Sequence, residues 1–439
     1  MRYCLLACLV AVIIAGIPGR MVLANAEAPP DALSLHRAIK KALAANPELA
    51  AFQAEIEKAK ARRRQAGLYP NPELAFELEG FGGSGPFSGT ENAERSFYLK
   101  QDILLGGKIG KRTRVAAEAI QKNRWQMKIL EQDIRKGVKK AFVEVAGAQS
   151  AVRLQRDLVN LSTRVYDTVR QKADAGKVSP IEAVKAEIEM KNNRQSLQTL
   201  HRRLQSARKT LASFWKTAEP GFKTVASRLD QMPELPPFAA LEAGLDKNPD
   251  IERFDAEKTF QKAQYDLERA RRIPDLSLSG GYRQIPESDD TAFIAEISIP
   301  LKIFDRNQGE IEAARTAVDQ VADRRYEALN RRRQQLNAAF QDALAARDEV
   351  LALKRDIIPA TREVFSAKRQ GYESGKFSFL ELLDAQRVLF ESQQRYNDAR
   401  IRYHLAIAEI ERLTGQPLAE ASAKTQGAIH IEKKQGDRG

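Results

Sequence analysis

The chain is written twice, and a duplication of this length restricts the possible folds more than any other feature. Asn46-Pro47-Glu48-Leu49 returns as Asn248-Pro249-Asp250-Ile251, and Pro72 with Leu74 and Phe76 returns as Pro274 with Leu276 and Leu278, all 202 residues later. Val138, Val145, Val152 and Val159 correspond at 198 to Leu336, Ala343, Val350 and Ile357. Gly176-Lys177 with Ser179 and Glu182 corresponds at 199 to Gly375-Lys376 with Ser378 and Glu381. The small drift fits loop insertions. A period near two hundred residues is far too long for a solenoid, so one fold unit is duplicated and fused. We expect repeat 1 over 27–217, a linker over 218–237 marked by Pro220, Pro233, Pro236 and Pro237, repeat 2 over 238–417 and a polar tail over 418–439.

The first 26 residues read as an export signal: Arg2, an apolar run to Ile17, then Ala24-Asn25-Ala26, whose small residues suit cleavage after Ala26. An uncleaved anchor is the alternative, but Pro18, Gly19 and Arg20 stop the run short of a membrane span. Leu5-Leu6-Ala7-Cys8 resembles a lipobox, yet cutting before Cys8 would leave almost no signal. Cys4 and Cys8 are the two cysteines of the sequence, so a cleaved chain has no thiol for redox or metal chemistry. Removing Arg2 and Arg20 takes the formal charge from +13 to +11. In a cytosolic chain that balance would raise the question of nucleic acid. Export and the even spread of basic residues among acids argue against such a partner.

Lys108 to about Ala173 contains no proline, and its valines fall every seven residues between charged neighbours. The second copy, Asn307 to Tyr372, repeats the heptad with Leu329, Leu336, Ala343, Val350, Ile357 and Val364. Each helix would be roughly 100 Å long. Such a rod needs partner helices along its seam, and Pro359 is expected to bend the second one. Gly176 and Gly375 suit helix C-termini. Ser179 with Glu182 and Ser378 with Glu381 both match the capping box that starts a helix, so each rod should turn and come back, to about Trp215 and Leu413. Shorter helices, Leu35 to Gly67 and Phe238 to Arg272, are broken at the two Asn-Pro pairs.

Between short helix and rod the period changes to two. Leu74, Phe76 and Leu78 alternate with Glu73, Ala75, Glu77 and Glu79, Phe97, Leu99 and Ile103 with Tyr98, Lys100 and Asp102, Leu276, Leu278 and Tyr282 with Ser277 and Arg283, and Phe293, Ala295 and Ile297 with Glu296 and Ser298. These strands fit an outer-membrane barrel in length and polarity; an ordinary sheet with one wet face fits the pattern too. Four strands cannot close a barrel, and an open edge cannot face lipid, so closure would need several chains. Gly80 to Gly89 and Gln284 to Thr291 would be the external loops.

The whole order resembles the TolC-like outer-membrane efflux proteins, from about Leu33 to Pro417. Tyr69-Pro70-Asn71-Pro72-Glu73-Leu74, Leu104-Leu105-Gly106-Gly107-Lys108, Ile299-Pro300-Leu301 and Phe304-Asp305-Arg306-Asn307-Gln308-Gly309 resemble the branch that serves cobalt-zinc-cadmium efflux. The resemblance implies a mainly α fold with transmembrane β: a homotrimer with a twelve-stranded outer-membrane β-barrel, continued by a periplasmic α-helical barrel of long antiparallel hairpins. It implies a passive duct, partnered by a periplasmic membrane-fusion adaptor and an inner-membrane resistance-nodulation-division pump. Glu77, Lys100, Asp102, Arg283 and Glu296 would then line the barrel lumen.

The resemblance also points to the hairpin tips. Glu381 and Asp384 match acids that ring the periplasmic entrance, although Glu381 is also a capping-box acid and paired acids on a helix are usually just wet. Glu182, Tyr372 and Lys376 are the expected closing contacts, with Phe377 standing where the family's best-known member has an arginine. No enzyme activity, cofactor or metal site is expected. His36, His201, His404 and His430 lack ligand spacing, and Gly106 to Thr113 fails as a phosphate loop, with Arg112 in the Ser/Thr position. A duct for drug efflux or type I protein secretion shares the same fold, and a periplasmic coiled-coil scaffold would explain rods and signal but not the strands.

Overall fold

The computed structural model describes residues 32–227 and 229–418. The expected signal segment, and all of the expected tail except Leu418, lie outside these residues. In chain order the elements are β1 (Ala32–Leu33), α1 (Leu35–Ala45), α2 (Pro47–Ala66), β2 (Glu73–Glu79), β3 (Glu94–Ile103), α3 (Lys108–Asp174) and α4 (Pro180–Ser213). Then come β4 (Thr224–Val225), α5 (Phe238–Glu242), α6 (Pro249–Arg271), β5 (Leu276–Ile285), β6 (Asp290–Ser298), α7 (Gln308–Ala352), α8 (Ile358–Glu373) and α9 (Phe379–Thr414). The helices form a row around the two rods. Near the sheet α2, α3, α6 and α7 are neighbours in that order; toward the far end α4 packs on α3, α3 on α9, and α9 on α7 and α8.

The first rod is one uninterrupted helix of 67 residues. The second is broken by a π-turn, Leu353–Ile357, in which the N–H of Ile358 reaches back five residues to the carbonyl of Leu353. Pro359 causes it: in an α-helix its ring would strike the carbonyl four residues back, and wider i+5 bonding moves that carbonyl aside. The consequence reaches further than the expected bend. One extra residue in a turn rotates everything after it by about 100°, so the heptad slips. Leu336, Ala343 and Val350 are buried as expected, but Ile357 and Val364 face outward, and Phe365 and Tyr372, one place later, take over the seam.

The repeated Asn-Pro pairs act as splices. Asn46 Oδ1 accepts the N–H groups of Glu48 and Leu49 at 2.9 and 3.2 Å, capping α2, while its Nδ2 donates to the carbonyl of Phe214 at 3.0 Å, just past the end of α4. Asn248 does the same in repeat 2, taking the N–H of Asp250 at 2.8 Å and giving to the carbonyls of Arg412 and Leu413 at 2.8 and 2.7 Å. One amide thus satisfies free groups at two helix ends, holding α4 against the start of α2 and α9 against the start of α6. Beside the second splice Arg412 is buried, its Nε 2.7 Å from Asp133 and its guanidinium also on Asp250, which Arg332 reaches at 2.9 Å. The parallel pair β1–β4 ties the start of repeat 1 to the linker.

The four long strands form one antiparallel sheet in the order β2-β3-β5-β6. β3 and β5 join the repeats. Gly281 lies opposite Tyr98, where an added Cβ would come within 2.0 Å of the Phe97 carbonyl oxygen, so the strands meet closely there. The second external loop is shorter than expected, because Gln284 pairs with Thr291 and Ile285 with Asp290, leaving Pro286 to Asp289 as the turn.

Candidate pore face and hairpin-tip site

Register decides which side chains share a face. Phe76, Phe97, Tyr282 and Phe293 lie in one cross-strand row, with Phe76–Phe97 and Phe97–Tyr282 ring centroids 4.7 and 5.5 Å apart. Leu74, Leu99 and Ile297 share this apolar face, and Phe293 is 97% exposed. The other face carries Glu73, Glu77, Glu79, Glu94, Asp102, Asp290 and Glu296 against Lys100 and Arg283. All five residues expected to line the lumen are on this side. Arg283 is committed within it, reaching Glu79 at 3.2 Å, Glu94 at 2.9 Å and Ser96 at 3.1 Å. Among the described residues Glu73, Glu77 and Asp102 form no ion pair. A face with seven acids and two bases on a chain of net charge +13 attracts cations by its local field.

At the far end both hairpins turn through the same motif. Gly176 and Gly375 are left-handed, with φ of 66° and 77°. Behind them Lys177 N–H bonds the Lys172 carbonyl and Gly176 N–H that of Ala173; Lys376 N–H bonds the Gly371 carbonyl and Gly375 N–H that of Tyr372. These are paired Schellman bonds. A buried cluster of Leu161, Val165, Val169, Ala186, Phe365, Tyr372, Phe379, Leu382, Ala385 and Leu389 holds the two hairpins together.

The capping boxes differ. Ser378 and Glu381 close one, with Glu381 N–H on Ser378 Oγ at 3.4 Å and Ser378 N–H on Glu381 Oε2 at 2.9 Å. The expected box at Ser179 does not close. Ser179 Oγ takes the N–H of Ile181 instead, and Glu182 turns inward with its Oε2 buried and unbonded. There it faces Tyr372, whose hydroxyl is likewise buried without an aligned hydrogen bond. Burial first, and the Glu182 charge second, push the Tyr372 phenol up to about 12.

Glu381 and Asp384 are exposed on α9, and each is already paired. Lys368 Nζ donates to Glu381 Oε1 at 2.6 Å and lies 3.8 Å from the centre of the Phe377 ring. That bond first, then those from Ser378, hold the Glu381 carboxyl down at about 2. Asp384 pairs with Arg387 at 2.8 Å. Lys376 is exposed and does not reach Tyr372. The lysine that does is Lys172, unremarked in the sequence: its Nζ donates to the carbonyls of Tyr372 and Glu373 at 2.8 and 3.2 Å and sits 4.4 Å from the Tyr372 ring centre. Lys172 was legible only as a cation in the last turn of a rod. That it caps the end of a different helix follows from how the hairpins pack.

Among the described residues no helix is long and apolar enough to cross a membrane, and no three His, Cys, Asp or Glu residues are grouped to hold a metal.

Known proteins match across much of this framework. The CzcC cobalt-zinc-cadmium resistance protein of Cupriavidus metallidurans is 30% identical over 386 residues, 88% of this chain and 90% of that protein. The CnrC nickel and cobalt resistance protein of the same organism is 26% identical over 68% of each. Among solved structures, a membrane protein from Pseudomonas aeruginosa has a TM-score of 0.72 at 20% identity, covering 87% of this chain and 90% of its own. CusC, described for transmembrane channel formation, scores 0.72 at 18% identity, covering 87% and 92%. These structural likenesses are likenesses of fold. The family described as outer membrane efflux protein matches residues 38–215 and again 240–416, once for each half of the duplication, and the chain belongs to that family.

Proposed function

We propose that the protein is the outer-membrane channel of a tripartite heavy-metal efflux system, receiving cations such as cobalt, zinc or cadmium through an adaptor from an inner-membrane pump and conducting them outward without chemistry. The observation that carries this reading is the identity to CzcC along nearly the whole length of both chains. Three copies supply twelve strands; their apolar faces meet lipid and their acidic faces line the pore. Exposed apolar side chains at the outer helices of the row, Ile181, Val184 and Ile188 on α4 and Val364 on α8, support neighbours there. The uncompensated acids support cations as cargo.

Deleting the gene should lower tolerance to at least one of cobalt, zinc and cadmium, and restoring it should bring tolerance back. Unchanged tolerance to all three would remove the metal assignment. In planar bilayers the channel should be cation-selective, and Glu73→Gln with Glu77→Gln and Glu296→Gln should lower that selectivity. Glu381 and Asp384 would contribute at the periplasmic entrance once Lys368 and Arg387 release them. Glu182, Tyr372 and Lys172 would form its closing contacts.

A further inference from the structure

The polar face of the sheet is unevenly charged, and the unevenness follows the duplication. β5 is β2 displaced by 202 and β6 is β3 displaced by 200, since Ala75 faces Tyr98 as Ser277 faces Ser298. Five of the seven acids on this face, Glu73, Glu77, Glu79, Glu94 and Asp102, belong to β2 and β3. In the second copy their places are taken by Asp275, Ser279, Gly281, Ile294 and Lys302. Asp275 alone keeps the charge, and Lys108 pairs with it at 2.7 Å. The first hairpin is an acidic stripe; the second carries only Asp290 and Glu296 against Arg283.

Arg283 is the single base that β5 and β6 place on this face, and it reaches into the first hairpin. Its counterpart there is Phe81, beyond the end of β2, so the first copy has no equivalent. Glu79 lies directly opposite Glu94, and like charges so placed repel. From the next strand the guanidinium enters between them. Nη2 lies 3.2 Å from Glu79 Oε2, Nη1 donates to Glu94 Oε2 at 2.9 Å, and Nε donates to Ser96 Oγ at 3.1 Å. Ser96 is buried beneath, while the Glu79, Glu94 and Arg283 side chains keep 48, 37 and 33% of their exposure. The cluster is therefore open on the polar side, at the end of the stripe nearest the Gly80 to Gly89 loop. Toward the helices Glu73, Glu77 and Asp102 form no ion pair among the described residues.

We propose that Arg283 is a built-in counter-ion that keeps the outer end of the acidic stripe from holding the cations it conducts, which rests on the polar face lining the pore of the proposed channel. A conducting site must attract an ion and also release it. Glu73, Glu77 and Asp102 supply the attraction along β2 and β3. At the exit two carboxylates about 5 Å apart at Cβ would grip a divalent cation between them, because Asp and Glu oxygens are ordinary ligands of zinc and its neighbours. The guanidinium occupies one oxygen of each carboxylate and brings a positive charge to the same place, so an arriving cation passes on.

Protein extracted from outer membranes is placed in planar bilayers in potassium chloride, and cadmium chloride is added to both sides. Arg283→Gln should lower the cadmium concentration that halves the current by about tenfold, and Arg283→Lys, which keeps the charge, by much less. Adding Glu79→Gln and Glu94→Gln to Arg283→Gln should return the unmutated value. Unchanged block in Arg283→Gln overturns the proposal. So does a stronger block that the two glutamines fail to reverse, which would leave Arg283 only a staple across β2, β3 and β5. If Arg283→Gln does not fold, Glu79→Gln with Glu94→Gln alone decides: the guanidinium is then unpaired at the exit, the reversal potential in a potassium chloride gradient should move toward the chloride value, and an unmoved potential overturns the proposal. Failure of the channel reading itself looks different, since the unmutated protein would then carry no cation current before any substitution.

Discussion

The two hairpin tips descend from one sequence and have solved the same turn differently. The second closes its own cap: Ser378 and Glu381 complete the capping box, Lys368 bridges to Glu381, and the Phe377 ring packs against Gly371, where even a Cβ would lie 2.1 Å from it. The first keeps the turn but not the lock. Glu182 leaves its cap to face Tyr372, and Lys172, the counterpart of Gly371 at the offset of 199, reaches across to the other hairpin. The two tips therefore order each other, Lys172 of the first capping the helix end of the second. Duplication supplied two equivalent turns, and divergence at one position gave the first a lysine that reaches across and the second a glycine that seats Phe377.

An asymmetry recurs at the splices, where among the described residues only the second has a buried charge cluster, and there the largest effect is expected. Arg412→Met leaves Asp133 and Asp250 without their shared partner. Because Arg332 still holds Asp250, the loss should be about 3 kcal/mol, at the low end for a broken buried pair. Urea unfolding followed by circular dichroism measures it; a loss under about 1 kcal/mol would show the second splice to be no stronger than the first. Gly371→Leu comes next. Displacing Phe377 should cost about 1–3 kcal/mol, as overpacking does. Hydrogen exchange should show faster opening over Phe365 to Leu389, and unchanged protection would mean that Phe377 has somewhere else to go.

Lys172→Met should cost about 1 kcal/mol, the usual worth of a cation at a helix C-terminus, while Lys172→Arg keeps most of it. If Lys172 holds the tips together, the Met variant conducts more in planar bilayers than the Arg variant. Equal conductance would reduce Lys172 to a local cap.

Titration separates the tips most finely. The Tyr372 phenol is raised, so the stability gained from keeping it neutral is complete below about pH 10 and is lost as pH rises through about 12. Glu182→Gln should shift its phenolate absorbance, taken as a difference from Tyr372→Phe, to lower pH but not back to 10, since burial remains. A return to 10 would make Glu182 the main cause. For Glu381 the sign reverses: its carboxyl is depressed, so its contribution is present above its ordinary value of 4.5 and fades as pH falls through about 2. Lys368→Met should raise that midpoint, as read by side-chain carboxyl NMR. The group lies in water, so its effect on stability should be the smallest of all.

Much of this was legible in the residues. Period two against period seven separated sheet from rods, and the alternation put Glu77, Lys100, Asp102, Arg283 and Glu296 each on the polar face of its own strand, while their sharing of one sheet face needed the register. The Asn-Pro repeats stood out as markers, but not as splices, because the carbonyls they satisfy lie some 165 residues away. Pro359 announced a disturbance, while its result, a shift of the buried seam from Val364 to Phe365, depends on whether the helix bends or takes up an extra residue. The capping boxes at Ser179 and Ser378 read alike. Which closes is decided by what each glutamate meets across the bundle.

The sequence by itself determined the duplication, the element types and the polarity of each strand face, because these depend on covalent order and on local periodicity, which neighbours cannot alter. Only the tertiary structure decided the pairing of β3 with β5, the edges left open at β2 and β6, and the reach of Lys172 to Tyr372. Those are contacts between groups far apart in the chain, and whether two such groups meet is set by packing rather than by either one's own sequence.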